Sequence, residues 1–286
     1  MISESDSQAY RREGYLRVKG VFSPGEVQQF RQKIESLRTR AISEGIVMPV
    51  PRHPKVVLII GDVLGMPEFK ENRYVVFDDR IVDIAKRLLG DRLVYFGDSS
   101  IQTGEGLRGY HKDNIDRSNS DGLDWKGEYR LAQFGVYLQD HSKHGGGLKL
   151  RAGSHQHVSL REGPAMNIPS EIGDVLVWSS RITHSGNAVR LRAFPSLVLP
   201  PLLERFTPGF LRVPEEQERM VIFLTFGAPG PHVDRYIEHE AGREDCRDYW
   251  KRACVNSEIR SLAEGHGIEL RQPIPEYGSL NPHHQA

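Results

Sequence analysis

GDVLVWSSRITHSGN, residues 173–187, decides the architecture. Gly173-Asp174 is a turn signal, and Val175–Trp178 is a short β-branched and aromatic run, the composition of a strand. Thr183-His184-Ser185-Gly186 then places a histidine where that strand leaves its neighbour. Runs of the same texture recur from about residue 93: LVYFGDSSIQ (93–102), YRLAQFGVYLQD (129–140), GLKLR (147–151) and ERMVIFLTFG (218–227). Most are bounded by Gly, Pro, Asp or Ser, and no long helical pattern separates them. Short strands at such spacing predict an antiparallel sandwich or barrel rather than a parallel sheet. The expected fold is therefore mainly β with flanking helices, around a double-stranded β-helix (jelly-roll, cupin-like) core.

The flanks read as helices. Residues 1–45 carry a helical pattern in which Ser23 is an N-cap, Pro24 fits the first turn and Glu26 completes a capping box. Val27, Phe30, Ile34 and Leu37 follow on one face. In DRIVDIAKRLLGD (79–91) Ile81, Ile84, Ala85, Leu88 and Leu89 line up in the same way, with Gly90 as the stop. Beyond 231 the sequence turns helical again and ends in a polar tail. No repeat or linker divides the chain, so one domain is expected over residues 1–286. Residues 1–92 would be support, 93–230 the core with an insertion at 191–218, and 231–286 a helical extension and tail.

Composition narrows the function classes. The 286 residues carry 38 basic and 38 acidic side chains, which leaves no electrostatic footprint for nucleic acid. No apolar run approaches the roughly 18–20 residues of a membrane span, and the N-terminus lacks the apolar segment of a secretory signal. Cys246 and Cys254 are too few for a disulfide scaffold, so a reducing, cytoplasmic setting is expected. A small-molecule substrate fits this profile, with no membrane or nucleic-acid partner.

GYHKDNID (109–116) supplies the chemistry. His111 and Asp113 are i and i+2 at a strand end and so point to one side. Two imidazoles and one carboxylate on one face leave positions open on a redox iron. His184, 73 residues on, is the third ligand candidate, since the intervening strands bring the chain back. A second His-x-Asp pair, His232/Asp234, is followed only by helical and polar sequence and is set aside. His141, His144, His155 and His157 crowd around GGGLKLRAGSH without cysteines, and read as turn and pocket-rim residues rather than a zinc site.

The order of motifs resembles the phytanoyl-CoA dioxygenase superfamily of Fe(II)/2-oxoglutarate oxygenases over about residues 8–227. YRREGYLRVKGVFSPGEVQQFRQKI (10–34) resembles its opening strand and helix, and LLGD (88–91) precedes the strands. YHKDN (110–114) resembles its His-x-Asp motif, GGGLKLRAGSH (145–155) its Gly-rich turn, with Ala152 replacing the usual proline, and residues 173–187 the distal-histidine segment. The resemblance implies that His111, Asp113 and His184 hold Fe(II), and that 2-oxoglutarate and O2 are consumed with release of succinate and CO2. Related halogenases lose the carboxylate ligand, so Asp113 implies hydroxylase-type chemistry. The family clamps the distal carboxylate of 2-oxoglutarate with an arginine, because a guanidinium is planar, permanently charged and bidentate. Arg190 and Arg192 follow His184 closely but lie in sequence that does not continue as a strand. Arg219 opens the final strand run and is the expected clamp, with Gln102 a second contact to the cosubstrate.

Residues 114–130 and the insertion 191–218 are expected to line or cover the pocket, and their charges suit a small, polar molecule, an anionic one included, better than a lipid. Two other classes are compatible with the motifs: a cupin-type isomerase or dioxygenase that uses no 2-oxoglutarate, and a non-catalytic binding protein. Within 2-oxoglutarate chemistry, desaturation, epimerisation and cyclisation stand beside hydroxylation.

Overall fold

The computed structural model describes residues 2–43, 58–61, 63–104, 109–186, 188–214, 218–243 and 255–272. Helix α1 (Glu4–Glu13) ends at Gly14, whose φ of 79° is a left-handed cap. Strand β1 (Tyr15–Val18) follows, so the helical reading of residues 1–45 is broken there. The left-handed glycine stops the helix, and YLRV takes up the free edge of a sheet. Helix α2 (Pro24–Ser43) begins with the expected capping box, in which Ser23 and Glu26 exchange hydrogen bonds. Val27, Phe30, Ile34 and Leu37 are buried along its inner face. Strand β2 (Leu58–Gly61) and three short 3₁₀ turns lead to α3 (Asp79–Leu89), which Asp78 caps by accepting from the Arg80 amide.

The strands are β3 (Leu93–Tyr95), β4 (Ser99–Thr103), β5 (Leu131–Tyr137), β6 (Lys149–Arg151), β7 (Ala165–Asn167), β8 (Val175–Ser179), β9 (His184–Ser185) and β10 (Met220–Gly227). Helix α4 (Pro201–Phe206) sits between β9 and β10. Helix α5 (Pro231–Gly242), helix α6 (Ser257–Gly265) and β11 (Ile268–Leu270) close the described chain. The larger sheet runs β1-β8-β5-β10-β3-β11, with β4 also on β10 and β2 on β4. All its pairings are antiparallel except β11 on β3. The smaller sheet is β7-β6-β9. The two make an open jelly roll of the cupin type rather than a closed barrel.

Period-two alternation divides the larger sheet into two faces. Ala132, Phe134 and Val136 of β5, Ile222, Leu224 and Phe226 of β10, and Val175 and Val177 of β8 pack against α2 and α3 in one apolar cluster. Burying each such side chain is worth about 1.5–3 kcal/mol. The opposite face carries Tyr137, Leu176, Trp178 and Val221, which meet Leu150 of β6 and Leu148 just before it. A third cluster joins Val233, Tyr236 and Ile237 of α5 to Val94, Phe96 and Leu131. No described helix is long and apolar enough to cross a membrane.

Residues 188–214 run between β9 and β10. They are pinned by Lys149 of β6 and Glu204 of α4, an ion pair at 2.7 Å with both side chains 0% exposed. The Lys149 ammonium also donates to the Leu199 carbonyl, and Glu204 accepts from the Val189 amide. Removing one partner strands a buried charge. Glu204→Ala is expected to cost about 3–5 kcal/mol in chemical denaturation. Lys149→Met/Glu204→Leu should recover most of it, and equal losses in the single and double variants would show that the pair does not pin the segment.

Candidate metal centre and its cavity

His111 lies outside the named strands but forms an isolated antiparallel bridge with His184 of β9. Each histidine's amide donates to the other's carbonyl at 3.0 Å. The Asp113 amide donates to the Ser180 carbonyl at 2.9 Å, which holds the carboxylate two residues along on the same side. The result brings one ligand atom from each of His111, Asp113 and His184 to within 4.8 Å of one another. The Nε2 atoms stand 3.6 Å (His111) and 3.4 Å (His184) from the Asp113 carboxylate.

Tautomers follow from the other ring nitrogens. His111 Nδ1 donates to the Gly109 carbonyl at 2.9 Å, and His184 Nδ1 to that of Ile182 at 3.2 Å. Both Nε2 lone pairs are thereby turned toward the cluster, the tautomer a metal requires. Burial pushes His184 down to about 4, so its ring is neutral near pH 7. The buried Asp113 Oδ2 has no hydrogen-bond partner. Two imidazole nitrogens and one carboxylate on one side, with no fourth protein ligand among the described residues, fit a facial iron site with open positions.

Lys112, between the two ligands, was not singled out from the sequence because a lone lysine reads as a surface residue. It is 0% exposed, and its ammonium donates to the carbonyls of Ser154 (2.8 Å) and Arg181 (2.6 Å). These bonds tie the His111–Asp113 segment to the turns on either side.

The triad opens into a cavity of about 280 Å³ between the sheets. Arg219 lines it, is only 2% exposed, and leaves Nε and Nη1 without partners. Its guanidinium carbon lies 5.8 Å from the Tyr137 ring centre and 5.9 Å from that of Phe223. Gln102 lines the same cavity from β4, paired with Val221. The rival arginines are engaged elsewhere. Arg190 donates to the carbonyls of His141 and Ser142, and Arg192 to that of Arg212.

Other expectations fail. None of the described residues of 114–130 or 191–218 lines this cavity. Residues 114–130 are instead closed on themselves by Asp116 and Asp124, with Arg235 of α5 bonded to both. The polar wall comes from Asp98, Ser100, Gln133 and Thr225, and from Tyr236 and Glu240 of α5, a helix treated from sequence as a mere extension. The His141, His144, His155 and His157 cluster does not reach the cavity rim. His141 caps its own turn by bonding the Gly145 carbonyl, and His155 packs under Gly14 and bonds the Arg11 carbonyl. His232 bonds the carbonyls of Leu123 and Lys126, so the set-aside His-x-Asp pair is structural.

The phytanoyl-CoA dioxygenase (PhyH) family model matches residues 10–190. The chain belongs to this family. It is 28% identical over 162 residues to an ectoine dioxygenase of Streptomyces coelicolor. That alignment covers 54% of this chain and 52% of the relative, so the chain spans about half the length of the curated relative it matches. Among solved structures, EctD from S. alaskensis with bound Fe superposes with a TM-score of 0.56 at 19% identity, over 79% of this chain and 77% of that one. HygX from Streptomyces hygroscopicus, with nickel, 2-oxoglutarate and hygromycin B bound, gives 0.53 at 17%, over 79% and 88%. At those identities the superpositions establish the fold.

Burial also lowers His141 and His155 to about 4. Together with His184 they stay neutral in the fold but protonate near 6.5 when unfolded. Stability from these groups is complete above about pH 6.5 and is lost as pH falls toward 4. The metal-free protein should show a midpoint in denaturant that drops across that window, and His141→Gln/His155→Gln should flatten the slope. A midpoint independent of pH from 7 to 4.5 would contradict the assignment of buried neutral rings.

Proposed function

We propose that the protein is an Fe(II)/2-oxoglutarate-dependent oxygenase that hydroxylates a C–H bond of a small polar metabolite or natural product. The observation that carries this is the pairing of a two-imidazole, one-carboxylate centre with a buried arginine, Arg219, whose Nε and Nη1 have no hydrogen-bond partner, in one cavity. His111, Asp113 and His184 would hold the iron. Ferrous iron held there would, with 2-oxoglutarate and O2, supply the oxidising power for removing a hydrogen atom from carbon, at the expense of decarboxylating the cosubstrate to succinate and CO2.

The chain's own residues bind and orient. Arg219 offers two N–H groups to the distal carboxylate of 2-oxoglutarate, and Gln102 stands beside it as a second donor. Tyr137 and Phe223 flank the guanidinium and exclude water, which strengthens that ion pair. Gly109 and Ile182 fix the rings of the two histidines through their Nδ1 protons. The Asp113 side chain takes the ligand position that a halide would need, which supports hydroxylation. A single domain over residues 1–286 and a reducing, cytoplasmic setting belong to the same reading. A cupin-type enzyme without cosubstrate would have no use for a buried cation at Arg219.

Purified protein with Fe(II), ascorbate and 2-oxoglutarate is expected to release succinate slowly without substrate. A lost bond to a charged group costs roughly 1.5–3 kcal/mol, so Arg219→Ala should raise KM for 2-oxoglutarate about ten- to hundredfold. Arg190→Ala should leave it within about twofold. A KM raised by Arg190→Ala and not by Arg219→Ala would overturn the clamp assignment, and no succinate under any condition would favour the cupin-type reading.

A further inference from the structure

The floor of the cavity is laid out in rows across the larger sheet. Strand pairing sets Trp178 of β8 beside Gln133 of β5, and Gln133 beside Thr225 of β10. The Thr225 amide donates to the Asp98 carbonyl at 2.9 Å, which completes the row. All four side chains line the cavity. Arg219 lies six residues before Thr225 along β10, roughly 20 Å of extended chain. The Trp178 end of the row lies against the triad, 5.7 Å from the His184 ring, and its Thr225–Asp98 end is the one far from Arg219 along the strand. Tyr236 and Glu240, one turn apart on α5, close over it.

Asp98 is in no ion pair among the described residues, and it faces Glu240, the Thr225 hydroxyl, Asp113 and the Arg243 guanidinium. Glu240 is 8% exposed and engages Arg243 through both carboxylate oxygens, at 3.0 and 3.1 Å. Among the described residues, the cavity wall around Asp98 therefore carries two carboxylates, Asp98 and Glu240, and one guanidinium, Arg243, which Glu240 already holds through both oxygens. The same row contains a buried donor with no partner: Trp178 is 1% exposed, lines the cavity, and its Nε1 is unbonded.

We infer that this row is the substrate subsite and that it takes a protonated amine on a small, hydroxylated molecule. Asp98 receives the ammonium, and Gln133, Thr225 and Tyr236 meet its hydroxyl groups. Trp178 Nε1 donates to an oxygen of the same ligand. An anionic substrate, suggested by the charges of residues 114–130 and 191–218, would meet Asp98 and Glu240 instead. This inference rests on the reading of the triad and Arg219 given above. Asp98 acts here in specificity, with no part in binding iron or 2-oxoglutarate.

The test uses the full chain loaded anaerobically with Fe(II) and 2-oxoglutarate, whose weak visible charge-transfer band reports both assembly and a ligand arriving beside the metal. The probes are D-glucosamine, N-acetyl-D-glucosamine and D-glucuronate, with 1,4-diaminobutane and butane-1,4-diol as an open-chain pair. An amine is expected to shift the band with a Kd at least tenfold below that of its neutral or acidic counterpart. Asp98→Asn should abolish that preference while the 2-oxoglutarate Kd stays within about twofold, and Asp98→Glu should restore part of it. Tighter binding of glucuronate, a preference that survives in Asp98→Asn, or no amine response at all would overturn the cation assignment. A missing band before any probe is added would overturn the reading of the metal centre itself, and this inference with it.

Discussion

Two backbone hydrogen bonds, exchanged between His111 and His184 at 3.0 Å each, are the constraint on which the site depends. They join the segment after β4 to β9 of the smaller sheet and fix the relative height of the two imidazoles. Asp113 then follows by geometry, because its amide is held by Ser180 on the same connection. Lys112 reinforces the arrangement from beneath, with its charge spent on two carbonyls rather than on the metal ligands. A buried lysine in this role explains how a short, irregular segment keeps two ligands in register without belonging to a regular strand.

The larger sheet turns this local arrangement into a cavity with two unlike ends. One face is committed to packing against α2 and α3, so the other is free to carry function in rows two residues apart. Arg219 and Gln102 occupy one end, and Asp98, Gln133 and Thr225 the other. Trp178 lies 5.7 Å from the His184 ring and 5.9 Å from Phe223, and so joins the triad to the row of Gln133 and Thr225. Gly135 is needed in the middle of that floor, since a Cβ there would press on the rings of Tyr137 and Trp178.

The parts of this design legible in the sequence were those set by local pattern. The His-x-Asp pair, the strand leading to His184, the capping box at Ser23 and the five main strand runs all depend on residues close in sequence. The place of Arg219 in the cavity wall follows from the clear strand run that it opens, whereas Arg190 and Arg192 lie in sequence that does not continue as a strand and bind carbonyls elsewhere. The wall made by Asp98, Tyr236 and Glu240 was not legible. It depends on α5 docking through Val233, Tyr236 and Ile237 onto β3 and β5, a non-local contact with no short-range signature. β11 escaped for the same reason, since three residues in parallel pairing carry no periodicity. Residues 114–130 misled because their charges serve an internal Asp116–Arg235–Asp124 network rather than the pocket.

The central claim is that one cavity holds iron and 2-oxoglutarate together, and anaerobic absorption spectroscopy of the protein with Fe(II) and 2-oxoglutarate tests it most directly. The account predicts a weak visible charge-transfer band that requires both components, vanishes in His184→Ala, and needs far more 2-oxoglutarate in Arg219→Ala. Iron bound at full stoichiometry with no band at any 2-oxoglutarate concentration would contradict it.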